Sequence, residues 1–529
     1  MEVQNWRDAS DILAKALQNY LDASLALEST VTHRYGSFSK WSTSDRESLF
    51  DAILAEQAAT ESRRSKLDRA VNCLNKLHNC SAKIVPIRAL PDEILARIFA
   101  LASDRCTFFA SELLSNDVRK CYRSLPLVTM ICSDWRRVAI TTPSLWNHID
   151  VNVCTGGKQP RSADLWLDRA RSAPLYLQLS FEQRPMKVDD IELLDWLIPH
   201  LRSIVSLGLQ CSQFSSWLRT ALQHWVKDGL AGSVKELSVY GPGATTGADP
   251  IQYLDNAFDN LDAAQVDSFL SPIQALRLHH VLFRWASTAY QNLVHLELFH
   301  IPREFSPTSQ QLADILSASP NLCVLTLHAM SVLPPASNNT ATAPVKLKSL
   351  KTLNVWGILN DPHSNLFPII QPSSNELNVS IRSNCPDRST FNDFNVTKLF
   401  LHILPSTSGT SGLTHIPSFT NLGVMAIKIG FGIDRHTCNS VLEDLVKISQ
   451  YDGFPRWPKL HTIWFFGGVY NINTMKNVAK AYDMPTLILT NVKPLYSGEP
   501  PSALRPFVKE LIVENGVGES TLFEWQLRW

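Results

Sequence analysis

The 529-residue chain is 45% hydrophobic and 19% charged, enough apolar material for a large core, which excludes global disorder. Its 49 basic and 49 acidic residues cancel, so no nucleic-acid partner is expected, since backbone phosphates call for a basic surface. The opening MEVQNWRDAS has no basic and apolar leader pattern, and no run of 18 apolar residues exists. No membrane partner is therefore expected.

The ten cysteines are scattered and none forms a C-x-x-C pair, which fits reduced thiols in cytoplasm or nucleus better than a disulfide framework. Nucleotide-loop, nucleophile-elbow and zincin motifs do not occur, so no catalytic residue, cofactor or enzyme activity is expected. His279, His280, His295 and His300 invite a metal reading. They lie on or beside strand-like segments without a cysteine or carboxylate cluster, and no metal is expected there.

In chain order, residues 1–43 carry a helical pattern through Ile12, Leu13, Ala16, Leu17, Tyr20, Leu21 and Leu25, then a polar break. Residues 44–86 read as a second amphipathic helix, opened by a capping-box pattern at Ser44–Glu47. Its Leu67, Val71, Leu74 and Leu77 form a narrow seam that fits either a coiled coil or packing within the chain. Pro86 ends it.

Residues 87–148 hold a helix beginning at Pro91, with Asp92 and Glu93 at its favourable end for carboxylates. Its apolar face is Ile94, Leu95, Ile98, Phe99 and Leu101. After a polar stretch from Ser103 to Ser124, Leu127, Val128, Ile131, Cys132, Trp135, Val138 and Ala139 form the wide stripe of one further helix. Thr142-Pro143 ends it, and Ile149, Val151 and Val153 alternate as a strand does.

From about residue 165 a short apolar signature recurs: one residue, another three on, a third two further. Clear copies are Leu293/Leu296/Leu298, Leu322/Leu325/Leu327 and Leu350/Leu353/Val355, and others continue to Val508/Leu511/Val513. Weaker copies are Pro174/Leu177/Leu179 and Ser374/Leu377/Val379. The last two positions share one side of a short strand. A single unit cannot bury that side, so units stack, with a period of roughly 28 residues where they are most regular. Gln310–Leu316 reads as a helix between strands, while 241–250, 331–344 and 404–418 read as loops. Trp356, Trp457 and Trp464 suit either a partner surface or the core.

Leu90-Pro91-Asp92-Glu93-Ile94-Leu95, then Cys132-x-x-Trp135-Arg136, then Thr142-Pro143-Ser144-Leu145-Trp146 together resemble an F-box protein of the type abundant in mushroom-forming fungi. Those carry a heptad-like helix before the F-box and irregular leucine-rich repeats after it. The resemblance implies an α+β fold: N-terminal helices, a three-helix F-box over 87–148 and an α/β leucine-rich-repeat-like solenoid over 149–529. It implies docking on a Skp-family adaptor, and through it a cullin, by Leu90, Pro91, Ile94, Leu95, Ile98, Val128, Trp135 and Val138. The chain would then be the substrate-recognition subunit of a ubiquitin ligase, its repeats holding a target protein. The alternative is a repeat scaffold that binds proteins without a ligase role.

Overall fold

A computed structural model of the chain describes residues 2–33, 42–79, 86–102, 124–153, 161–181, 197–211, 216–241, 252–335, 342–356, 363–373, 376–382, 394–403, 419–429, 435–450, 457–494 and 500–514. It is a mixed fold of helices and strands that forms two compact units, Met1–Ile94 and Leu95–Trp529. The expected spacer 103–123, the loop 404–418 and most of 241–250 lie outside the described residues.

The first unit holds two long helices, α1 (Glu2–His33) and α2 (Thr43–Asn79). The N-cap of α2 is Ser42, two residues before the expected one. Its hydroxyl accepts from the Asp45 amide at 3.1 Å and donates to the Asp45 carboxylate at 2.7 Å. Asp45 thus closes the cap that the sequence pattern assigns to Glu47.

Helix α3 (Asp92–Ala102) follows, and Pro91 sits just ahead of it, where its carbonyl accepts from the Ile94 amide at 3.0 Å. The single helix expected over 127–139 is instead two, α4 (Ser124–Ile131) and α5 (Ser133–Thr141). Cys132 breaks it: its backbone is extended (φ −156°, ψ 169°) and its Sγ accepts from the Trp135 amide, so the thiol caps α5. Periodicity runs through the break because the apolar spacing is kept on both sides of it. The division between the two units falls inside α3, after Ile94.

Among the described residues, fourteen strands then build one sheet. They are β1 (His148–Val153), β2 (Leu175–Phe181), β3 (Ile204–Cys211), β4 (Glu236–Tyr240), β5 (Ala275–His279), β6 (His295–Phe299), β7 (Val324–His328), β8 (Thr352–Trp356), β9 (Leu377–Arg382), β10 (Val396–Ile403), β11 (Val424–Ile429), β12 (Thr462–Phe466), β13 (Thr486–Thr490) and β14 (Glu510–Glu514). Spatial order follows chain order throughout, and every pair is parallel. A parallel neighbour needs a crossover. The crossovers include α6 (Arg161–Ala170), α7 (Ser216–Asp228), α8 (Ala263–Leu270), α9 (Ser309–Ser317), α10 (Arg435–Gln450) and α11 (Ile472–Ala481).

The recurrent apolar triplet is legible in this arrangement. Leu237, Leu276, Leu296, Leu325 and Leu353 are in register on successive strands, and so are Val239, Leu278, Leu298, Leu327 and Val355. Leu293, Leu322 and Leu350, the entry residues, are fully buried too. The two weaker triplets feed ordinary strands, β2 and β9, and Ile149 and Val151 join the same apolar rows through β1. The sheet therefore begins at His148, before the repeat signature becomes regular.

Strand ends have their own device. His280, His300, Ala329 and Asn491 follow their strands with φ between 48° and 55°. That left-handed turn keeps one more ladder bond: the amides of His280, His300 and Ala329 donate to the carbonyls of Phe299, His328 and Trp356. Glycine takes the role at Gly467 (φ 64°), whose amide donates to Thr490.

Helix α9 carries a full capping box, with Thr308 accepting from the Gln311 amide and the Gln311 side chain reaching back to the Thr308 amide. Replacing Thr308 by Ala is expected to cost about 1 kcal/mol in urea unfolding, and by Ser almost nothing. Equal loss for both would show that the hydroxyl is not what matters there.

Candidate functional site

Two surfaces deserve weight, the helices α3–α5 and the polar face of the sheet. The helices divide their apolar residues sharply. Leu95, Phe99, Leu125, Val128, Val138 and Ala139 face inward and are buried. Phe99 packs on Trp135, ring centroids 4.9 Å apart. Outward on α3, at i, i+4 and i+7, stand Ile94 (45% exposed), half-buried Ile98 and Leu101 (74%). Outward on α4, at i, i+3 and i+4, stand Leu127 (59%), Met130 (71%) and Ile131 (60%).

This sorts the residues expected to face an adaptor. Pro91 and Ile94 are exposed, and Leu90, Ile98 and Trp135 half-buried. Leu95, Val128 and Val138 lie on the inward sides of α3, α4 and α5 and are buried within the chain. Leu101 on α3 and Leu127, Met130 and Ile131 on α4 add to the outward face. A single helix over 127–139 does not separate the outer residues of α4 from the inner stripe.

The end of α5 is tied to the start of the sheet. The Trp146 indole N–H donates to the Ala139 carbonyl at 2.6 Å, Trp166 meets its ring edge-on at 5.2 Å, and the Arg169 guanidinium lies 4.3 Å from it. Thr142 donates back to the Val138 carbonyl at 2.7 Å, and Asn147 reaches the Pro174 carbonyl at 2.9 Å.

The second surface is the sheet face opposite the leucine rows. Its central row carries Asp150, Gln178, Gly208, Ser238, Arg277, Glu297, Thr326, Asn354 and Ser380, then turns apolar at Phe400, Ala426, Trp464, Ile488 and Ile512. The apolar end is a buried cluster that includes Trp356 and Phe466. Trp356 and Trp464 are thus core residues whose indoles donate to Ser380 Oγ at 2.8 Å and Thr490 Oγ1 at 2.9 Å. Trp457 is also buried, stacked on Tyr482 at 6.1 Å.

At the polar end Arg277 lies 3.8 Å from both Glu236 and Glu297, and His295 Nε2 lies 2.5 Å from Glu297 Oε1. Burial would raise the Glu297 carboxyl, but the His295 hydrogen bond, the His295 charge and Arg277 outweigh it and hold it below its ordinary value. Burial pushes the neighbouring Tyr240 hydroxyl up.

Along the carboxyl ends of the strands, aromatic rings form a row. Tyr240 lies 4.4 Å from His279, which stacks on Phe299 at 4.0 Å. His280 stacks on His300 at 4.9 Å, and His300 meets His328 edge-on at 4.8 Å. Burial holds His279 well below the ordinary imidazole range. Burial, then His300, brings His280 down to about 4. Of the four histidines the sequence raised together, His295 stands apart, committed to Glu297. Among the described residues no three His, Cys, Asp or Glu side chains converge as a metal ion requires. No described helix is long and apolar enough to cross a membrane.

Comparison with protein-family models and with curated proteins finds no match.

Proposed function

We propose that the chain is the substrate-recognition subunit of a cullin-type ubiquitin ligase, acting in cytoplasm or nucleus. Helices α3–α5 act as the F-box that docks on a Skp-family adaptor, and the fourteen-stranded sheet acts as an irregular leucine-rich-repeat solenoid that holds a target protein. One observation carries this reading: α3 and α4 keep large apolar side chains outside, at helical spacing, while a separate inner stripe already fills their core. An exposed apolar face of that kind is a protein-docking surface. The strand-by-strand build of the sheet supports the repeat reading.

In this role the chain performs no bond chemistry. It holds a target near a conjugating enzyme and raises the local concentration of target lysines. Of the docking residues expected from the sequence, Leu90, Pro91, Ile94, Ile98 and Trp135 are exposed or half-buried, and the exposed faces add Leu101, Leu127, Met130 and Ile131.

The test is co-purification of the full chain with a Skp-family adaptor. Ile94→Asp with Ile98→Asp, and separately Leu127→Asp with Ile131→Asp, are expected to lower adaptor recovery at least tenfold with the circular dichroism spectrum unchanged. Two apolar anchors turned into charges are worth more than the 1.4 kcal/mol that tenfold represents. Equal recovery by wild type and both variants would remove the ligase reading and leave a repeat protein that binds partners some other way.

A further inference from the structure

Helices α1 and α2 meet around a polar layer. The Tyr20 hydroxyl lies 3.1 Å from Thr60 Oγ1, the Arg63 guanidinium lies over the Tyr20 ring at 5.4 Å, and Arg63 pairs with Glu56 at 2.5 Å. Beyond this layer the two backbones approach one another closely at few positions, and Leu13, Leu27 and Ile53 on either side of it stay exposed.

That pairing leaves much of the hairpin's apolar surface uncovered. Fifteen large apolar side chains on the two helices are between 36% and 69% exposed. On α1 the apolar arc extends past the seam through Leu17, Leu21 and Leu25, at i, i+4 and i+8, and on α2 it extends through Phe50, Leu54 and Val71. Two helices cannot cover arcs this wide. The uncovered apolar area is on the order of 1,000 Å², above the roughly 800 Å² per partner of a standard interface.

The charges say what covers it. From Thr43 to Glu61, α2 carries five acidic residues and one basic. From Ser62 to Asn79 it carries five basic and one acidic. A helix split this way repels a parallel copy of itself and attracts an antiparallel one. A two-fold axis at Ser62 sets Glu61 level with Arg63 of the second copy, Phe50 with its Leu74, and Glu47 within one residue of its Lys76. We propose that the α1–α2 hairpin is a self-association module: two copies of the chain pair antiparallel along α2 and close a four-helix bundle. This is independent of the adaptor reading, which concerns α3–α5.

Sedimentation velocity and light scattering of the full chain test it. Wild type is expected to run at twice its 59.3 kDa. Glu47→Lys with Asp51→Lys cancels the net negative charge of the first half of α2 and sets a lysine at position 47 beside Lys76 of the second copy, and Arg69→Glu with Lys76→Glu cancels the net positive charge of the second half and sets a glutamate at position 76 beside its Glu47. Each variant alone is expected to dissociate at least tenfold more readily, and an equimolar mixture to recover the dimer. Recovery separates antiparallel pairing from mere damage to α2, and the helical signal at 222 nm checks the fold of each variant. A wild-type monomer at 100 µM, a dimer indifferent to both charge sets, or a mixture that stays monomeric would each overturn the proposal.

Discussion

Trp146→Ala is expected to destabilise the chain by about 3–5 kcal/mol, the range for removing a fully buried aromatic side chain. Three interactions converge on this ring: the hydrogen bond to the Ala139 carbonyl, the edge contact with Trp166 and the Arg169 guanidinium over its face. They join α5, β1 and α6, so their loss frees the helices from the sheet. Trp146→Phe keeps much of the packing but leaves the Ala139 carbonyl without its indole donor, at about 1–2 kcal/mol. Urea unfolding followed at 222 nm gives both values. Hydrogen exchange should show the loss concentrated in 124–153, with β8–β12 unaffected, because each strand of the sheet pairs only with its neighbours. A loss below 1 kcal/mol for Trp146→Ala would mean that the helices are held by something else.

What the sequence revealed, and what it hid, follows from which interactions are local. The leucine triplets were visible because an apolar row repeated on successive strands is written into each unit separately, as Leu293/Leu296/Leu298 and Leu322/Leu325/Leu327 show. The cap of α9 was equally local, and the helix expected over 310–316 is there. The break at Cys132 was hidden because a thiol is rarely a helix cap and the apolar spacing ran through it. Which of Leu95, Ile94, Val128 and Ile131 face outward depends on how α3, α4 and α5 pack, and that is not a property of any one helix. The row of Tyr240, His279, Phe299, His328 and Trp356 was hidden for a similar reason. These residues are 20 to 39 positions apart in sequence and become neighbours only through strand register.

The sheet's polar face changes character along its length. Between β4 and β6 buried charges are matched to one another, with Arg277 between Glu236 and Glu297. Removing one partner of such a set leaves the others buried without compensation, which costs more than the pair contributes. From β10 onward the same row is aromatic and aliphatic. A target held on this sheet would therefore meet a charged polar end and a closed apolar end, and its charged contacts belong near Glu236 and His295, the half-exposed members of the network.

Acid should loosen the carboxyl edge of the sheet before it unfolds the rest. His279 and His280 are held neutral, by burial first and then by the histidines beside them, His300 and His280 or His328. Freed in the unfolded chain, an imidazole titrates near 6.5; folded, His280 titrates at about 4. Between those values the unfolded chain binds protons that the folded chain does not, so stability falls as pH drops through that window and is flat above about pH 7. For His280 alone, half-exposed and partly screened by solvent, the loss from pH 7 to pH 5 is about 1 kcal/mol, and His279 adds to it in the same direction. Glu297 acts lower: its depressed carboxyl contributes stability that is present above the ordinary carboxylate range and is lost only as pH falls through its folded value. Thermal unfolding at pH 7.5, 6 and 5 should give a falling midpoint. His280→Asn should flatten that slope, since asparagine accepts the φ of 54° at this position and carries no titrating ring. A midpoint constant from pH 7.5 to 5, or a slope unchanged in His280→Asn, would locate the acid sensitivity away from these rings.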